Sequence, residues 1–195
     1  EAAKALAGAE RCQIDVGTAN GRPFFVTCSM AADASLVKTF EKFPFRGILP
    51  YVFAAAYELF EYKPQAFRAV LDGREEVFFS NPLLFTVANL TQFGGGARIA
   101  PQARHDDGFL ELVVIEKRDT PRAVANVGRL FDGTLDMLPG VVTRRFRSLV
   151  VRREQAAVIQ VGGESQDSGA RVTVGVSAKA LTVLVPVRAA PRDAR

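Results

Sequence analysis

The stretch FRSLVVRREQAAVIQVGGESQDSGARVTVGVSAKALTVLV, Phe146 to Val185, decides the fold. Its apolar residues fall into short runs, Phe146 to Val151, Ala157 to Val161, Arg171 to Val176 and Leu181 to Val185, each alternating apolar with polar positions. That period of two belongs to strands whose one face is buried, and the intervening Gly, Glu and Ser residues belong to turns. Four strands in the last third, with helical patterns only further upstream, make a mainly β chain. A β-sandwich with helical insertions is the simplest architecture.

Working outward, a chain of 195 residues that is 48% hydrophobic can bury one substantial core and does not require two domains. Fifteen Phe and no Trp suggest interleaved phenylalanines in that core, and 16 Gly with 10 Pro punctuate many short elements. The net charge of +4 favours anionic partners, but the excess is scattered over Arg144, Arg145, Arg147, Arg152, Arg153 and a basic tail at 188–195. A solvated surface explains most of it. No interleaving of aromatic and basic residues marks a nucleic-acid surface, so no nucleic-acid partner is expected.

Cys12 and Cys28 have no metal-ligand spacing and read as reduced, buried thiols. The longest apolar candidate for a membrane span, Ile48 to Phe60, is too short and carries Pro50 and Glu58. There is no signal-peptide pattern at the start, and a chain opening on Glu1 reads as a piece of something longer.

Residues 1–10 have helix formers without a core pattern and read as a linker or the end of a connecting helix. Cys12 to Val16 and Pro23 to Met30 flank the turn-rich TANGR and predict a hairpin; Ser35 to Phe60 predicts helix split near Pro44 and Gly47. Strands are expected at Ala66 to Leu71, Glu75 to Phe79, Leu84 to Leu90 and Phe109 to Ile115. One amphipathic helix is expected from Thr120 to Phe131, with Val124, Val127, Leu130 and Phe131 on a shared face.

Chemistry concentrates in GGGARIAPQARHDDGFLEL, Gly94 to Leu112. Asp107, ahead of Gly108 and a strand, can accept turn amides or ligate a hard cation together with nearby carbonyls. His105 beside Asp106 and Asp107 invites a metal or acid–base reading, yet no second histidine completes a site. The glycine run lacks the Gly-Lys-Ser/Thr ending of a phosphate loop. Asn81 and Asn89 can cap or bridge strands. Gly162-Gly163-Glu164 places a carboxylate at a glycine-hinged turn, and no Ser/His/Asp set marks a hydrolase.

The order of these motifs carries more than any one of them. Val87-Ala88-Asn89, then Gly94-Gly95-Gly96, Ala100-Pro101-Gln102-Ala103 and Asp107-Gly108-Phe109-Leu110 resemble, in content and spacing, the signature of the bacterial diacylglycerol kinase family. Ile14-Asp15-Val16-Gly17, Phe24-Phe25, Gly47 with Tyr51, and Ser177 to Leu181 leading into Val183 to Pro186 follow in family order. The resemblance covers Arg11 to Val187, and residues 11–187 are read as one domain.

It implies the C-terminal half of a two-domain lipid kinase of the diacylglycerol and sphingosine kinase superfamily, a two-sheet antiparallel β-sandwich packed against an ATP-binding domain of the same parent chain. It implies a transferase of lipid metabolism and phospholipid biosynthesis that is cytoplasmic and peripheral to the membrane. By that resemblance Glu164 is the catalytic general base on a lipid hydroxyl. A structural Mg²⁺, or Ca²⁺, is held by the Asp107 carboxylate with the carbonyls of Arg104 and Phe109. Some of the Phe residues would line an acyl pocket.

Two departures stand out. Gly162 takes the place of the family's Asp before Glu164, and no Gly-Gly-Asp-Gly-Thr nucleotide motif occurs in the 195 residues, so ATP would bind only through a domain missing here. The chain alone is therefore expected to be inactive. The competing expectation is a non-catalytic β-sandwich, derived from that family, that binds a lipid or a partner.

Overall fold

The computed structural model describes residues 8–34 and 62–186, and in them two large antiparallel sheets lie face to face. The first sheet takes β1 (Glu10–Ala19), β2 (Arg22–Phe24), β4 (Phe67–Leu71), β5 (Glu75–Phe79), β11 (Ser148–Arg153) and β14 (Arg171–Val185), in the order β2-β1-β14-β11-β4-β5. The second takes β3 (Thr27–Ser29), β6 (Pro82–Ala88), β9 (Leu110–Glu116), β10 (Val141–Phe146), β12 (Ala157–Val161) and β13 (Glu164–Ser168), in the order β10-β9-β6-β3-β12-β13. A small ribbon, β7 (Gln92–Gly94) with β8 (Ala97–Arg98), is made by the glycine run.

Alternation decides which side chains meet between the sheets. Phe67, Ala69 and Leu71 of β4 point inward opposite Leu149 and Val151 of β11, while Arg68 of β4 and Arg152 of β11 face out. The phenylalanines interleave as expected: Phe85 takes the edges of Phe67 and Phe79 at 5.1 and 5.8 Å between ring centres. Phe24 and Phe146 are fully buried in the same cluster.

Strand β9 is buried along nearly its whole length, which is why its sequence reads as an almost unbroken apolar run. Leu110, Leu112 and Val114 join the core between the sheets, and Val113 belongs to a second core with Ala88, Ile99, Ala100 and Leu135. That second core lies on the outer face of the second sheet, beneath the segments 91–103 and 129–138.

Several elements differ from the sequence reading. The expected helix at Thr120 to Phe131 is two short ones, α1 (Thr120–Ala125) and α2 (Arg129–Asp132), broken where Asn126, Val127 and Gly128 lower helix propensity. Of the expected apolar face only Leu130 packs on the second core, and Val124, Val127 and Phe131 are exposed. The expected strands Arg171 to Val176 and Leu181 to Val185 are one 15-residue strand, β14, that bulges at Ala178 to Ala180. The helix expected over Ser35 to Phe60 and the tail at 188–195 lie outside the described residues.

Gly17 is required by packing. A β-carbon on it would fall on the Phe24 ring, which crosses β1 at that point and is fully buried. Gly17→Ala is expected to lower stability by about 1–3 kcal/mol, read by urea unfolding, because the ring must leave its rotamer.

Candidate functional site

A buried carboxylate that is not one of the expected site residues organises one end of the sandwich. Between Ile14 and Val16 the register of β1 against β14 breaks, skipping Asp15 on one strand and Ala178 to Ala180 on the other. The fully buried Asp15 uses both oxygens there: Oδ2 accepts the Gly108 amide at 2.6 Å and Oδ1 the Lys179 amide at 2.7 Å. Both donors sit in the left-handed region, Gly108 at φ 73° and Lys179 at φ 51°, so the carboxylate holds two tight turns together. The Asp15 amide donates to the His105 carbonyl at 2.6 Å.

Asn89 completes the clamp and bridges strands, the role its position allowed. Its Nδ2 donates to the carbonyls of Asp15 and Phe25, each at 2.9 Å, and its backbone amide donates to Val26. Four segments converge on these two side chains: β1, the Phe25–Val26 link, the His105–Gly108 turn and the β14 bulge.

At the same end lies a mainly apolar cavity of about 430 Å³, lined by Val26, Leu90, Thr91, Phe93, Ala103 and His105 with neighbouring residues. Among the described residues Phe93 is the one phenylalanine of its lining, and most of the large buried ones fill the core between the sheets. His105 also approaches Cys12, with Nε2 and Sγ 3.5 Å apart. Both cysteines are free thiols, but Cys12 is only half-buried whereas Cys28 is fully enclosed. Burial pushes the Cys28 thiol far above its ordinary range.

Of the expected cation residues, Asp107 and Phe109 are brought together. Asp107 Oδ1 accepts the Phe109 amide at 3.0 Å, the side-chain turn expected of Asp before Gly, and Oδ2 meets Arg145 Nη2 at 2.6 Å. Arg145 Nε also reaches Glu111 at 3.2 Å. The guanidinium groups of Arg145 and Arg147 each lie 4.5 Å from the centre of the Phe109 ring. The Arg104 side chain turns to Asp106 at 3.8 Å.

Glu164 opens β13 after the tight turn at Gly162 (φ 62°) and Gly163 (φ 98°). It is exposed, and among the described residues its carboxylate has no side-chain partner. The turn leans on the stretch that lines the cavity: the Gly162 amide donates to the Thr27 carbonyl at 3.0 Å, and its Cα side faces Phe24. Glu164 does not join the Asp107 cluster, because β13 lies four strands from β9, roughly 19 Å at ordinary strand spacing.

A second polar group was not marked in the sequence. Asp33 Oδ2 takes the Thr86 hydroxyl at 2.5 Å and Oδ1 the amides of Ala31 and Ala34; burial raises its pKa, against these hydrogen bonds. By register, Ser165, Gln160, Ser29 and Thr86 form a row across four strands of the second sheet. Gln160 Oε1 and Ser165 Oγ in that row are buried without a hydrogen-bond partner among the described residues. Arg153 is buried too, and its Nη2 donates to the carbonyls of Ala157, Ser168 and Gly169.

Glu111 gives this end a pH dependence. Burial, offset by Arg145 and reinforced by Asp107 and Asp136, pushes its pKa up to about 7 from 4.5. A carboxyl that holds its proton more tightly when folded stabilises the fold below pH 4.5, and that stability is lost as pH rises towards 7. The loss is about 3 kcal/mol by linkage. Glu111→Gln is expected to flatten the unfolding free energy across this window, measured by urea titration at stepped pH.

A family model, the YegS C-terminal NAD kinase beta sandwich-like domain, matches residues 27–185. The chain belongs to this family. Diacylglycerol kinases of two Mycobacterium tuberculosis strains are each 31% identical to this YegS-type domain over 105 residues, 54% of this chain and 34% of theirs. The matched part thus spans about a third of those relatives.

Solved structures described as diacylglycerol kinases from Bacillus anthracis share the fold. Two of them superpose with TM-scores of 0.65 and 0.60 at 17% and 15% identity, covering 89% of this chain and 56% and 53% of theirs. The YegS-type domain is therefore the mainly β, two-sheet part of a diacylglycerol-kinase-like lipid kinase family, as the motif order implied. No helix among its described residues is long and apolar enough to cross a membrane.

Proposed function

We propose that this domain is the substrate side of an ATP-dependent lipid kinase that phosphorylates the hydroxyl of diacylglycerol or a sphingoid base. The observation that carries this reading is that one stretch, Phe24 to Thr27, both supports the turn presenting Glu164 and contributes Val26 to the apolar cavity. An acyl chain needs an apolar recess, and its reacting hydroxyl needs a base near the mouth.

Glu164 suits that second part because its carboxylate is exposed and uncommitted to another side chain among the described residues. It takes the proton of the lipid hydroxyl as the oxygen bonds to the γ-phosphorus and the bond to the departing ADP breaks. ATP is held by a separate domain, joined to this one in the parent chain. The protein works from the cytoplasm at the membrane surface, where such lipids reside.

A second reading, a YegS-type sandwich that binds a lipid or a partner without catalysis, is favoured by Gly162. It replaces the acidic residue that the resemblance places before Glu164, and glycine brings no side chain to orient the base. Phosphoryl transfer from ATP to a panel of diacylglycerols and sphingoid bases, measured on this domain joined to its ATP-binding half, separates the two. Radiolabelled lipid product is expected from the kinase; saturable lipid binding without product would establish the second reading.

A further inference from the structure

The turn at Asp107 raises the question of what neutralises it. Asp107 and Glu111 are two carboxylates on one edge of the second sheet, and one side chain serves both. Strand register places Arg145 of β10 directly opposite Glu111 of β9. From there the guanidinium fork reaches Glu111 through Nε at 3.2 Å and Asp107 through Nη2 at 2.6 Å. Its guanidinium carbon lies over the Phe109 ring, 4.5 Å from the ring centre, as that of Arg147 does.

Asp107 therefore already has a donor on each oxygen, the Phe109 amide on Oδ1 and the guanidinium on Oδ2. A divalent ion at this carboxylate would have to share it with, or displace, a fixed positive charge. Hard-ion ligation also wants oxygen atoms around the metal, and the group held against Oδ2, at 2.6 Å, is a cation. The residues present fit an arginine clamp better than an ion cage.

We propose that Arg145 is the built-in cation of this turn, doing at Asp107 the work for which the family resemblance assigns Mg²⁺ or Ca²⁺. Arginine is suited to it, since a planar fork can satisfy two carboxylates and stack on an aromatic ring in one conformation. The ordering of residues 107–111 then follows from sheet register and does not depend on the ion supply. Arg145 is a positioning residue: it acts through the Asp107 and Phe109 turn that Asp15 also holds.

Thermal unfolding of the protein in EDTA, and in millimolar MgCl2 or CaCl2, tests this. The wild type is expected to melt at the same temperature in all three. Arg145→Met is expected to melt roughly 3–6 °C lower in EDTA and to recover part of the loss when either salt frees it from carboxylate repulsion. Arg145→Lys, which keeps the charge without the fork, is expected to fall between them and to ignore the salts.

A wild-type melting point that rises with either ion, or calorimetry showing one Mg²⁺ or Ca²⁺ bound per wild-type chain, would overturn the proposal. If Arg145→Met does not fold, Asp107→Asn decides with the wild-type titration. Under the proposal it melts lower by the same amount with and without ions; under an ion site its deficit against wild type appears only when ions are present.

Discussion

Glu164→Gln, in this domain joined to its ATP-binding half, is expected to lower lipid phosphorylation by about 10²–10⁴-fold, the usual contribution of a positioned general base. The amide keeps the size and hydrogen-bonding reach of the side chain but cannot accept the hydroxyl proton. Glu164 is exposed and its carboxylate makes no hydrogen bond or ion pair among the described residues, so the substitution is expected to leave the fold intact. The loss should fall on kcat, with KM for the lipid nearly unchanged, since the cavity and its lining are untouched. An unchanged kcat would remove Glu164 from the chemistry and strengthen the reading of a binding module. The informative companion is Gly162→Asp. If an acidic neighbour orients the base, it should raise activity, although Gly162 at φ 62° makes any side chain there pay some backbone strain.

Asp15→Ala is expected to cost about 3–5 kcal/mol of stability, the largest effect of any single substitution considered. It removes two part-buried hydrogen bonds, from the Gly108 and Lys179 amides to a fully buried carboxylate, and a hydrogen bond to a charged group contributes about 1.5–3 kcal/mol. Removing the side chain from a fully buried position adds a small void. Both turns lose the group that holds them in left-handed conformations, so the Asp107 turn and the β14 bulge should loosen together. Amide hydrogen exchange at Gly108 and Lys179 reads this directly: both should lose protection in the variant, while Val113 in the twice-covered β9 keeps it. Asp15→Asn should be nearly as damaging, because one end of the amide presents hydrogens to an amide donor. A variant with wild-type stability would show that the turns hold themselves.

The sandwich was legible because its strands obey simple rules of alternation. Phe67 to Leu71, Glu75 to Phe79 and Ala157 to Val161 each alternate or run apolar between turn signals, and each is a strand. β13, Glu-Ser-Gln-Asp-Ser, was not legible: an edge strand pairs through its backbone on one side only and needs no apolar residue. β10 hid because Arg144 and Arg145 read as surface charge.

The candidate site divides in the same way. Asp107 before Gly108 is a local turn signal, so it could be found. Asp15 is one acidic residue in a strand, and its partners stand 93 and 164 positions away, a relation that no short pattern contains. Arg145 was visible only as one of several arginines. Its role depends on facing Glu111 across a strand pair, 34 positions apart. Asp33 sits among alanines with nothing nearby to mark it as the acceptor for Thr86.

The pairing of β1 with β14 has a consequence for how the protein is made. Glu10 lies opposite Val185, so the strand synthesised first among those described finds its main neighbour last. Closing so long a loop is slow, and every contact across the first sheet's centre waits for it. While the ribosome is still translating β11 to β13, β1 has only the short β2 to pair with and otherwise shows an open edge. A nascent chain stalled before Arg171 should therefore be the form most readily captured by chaperones or cut by proteases, and release of the last 15-residue strand should end that exposure in one step.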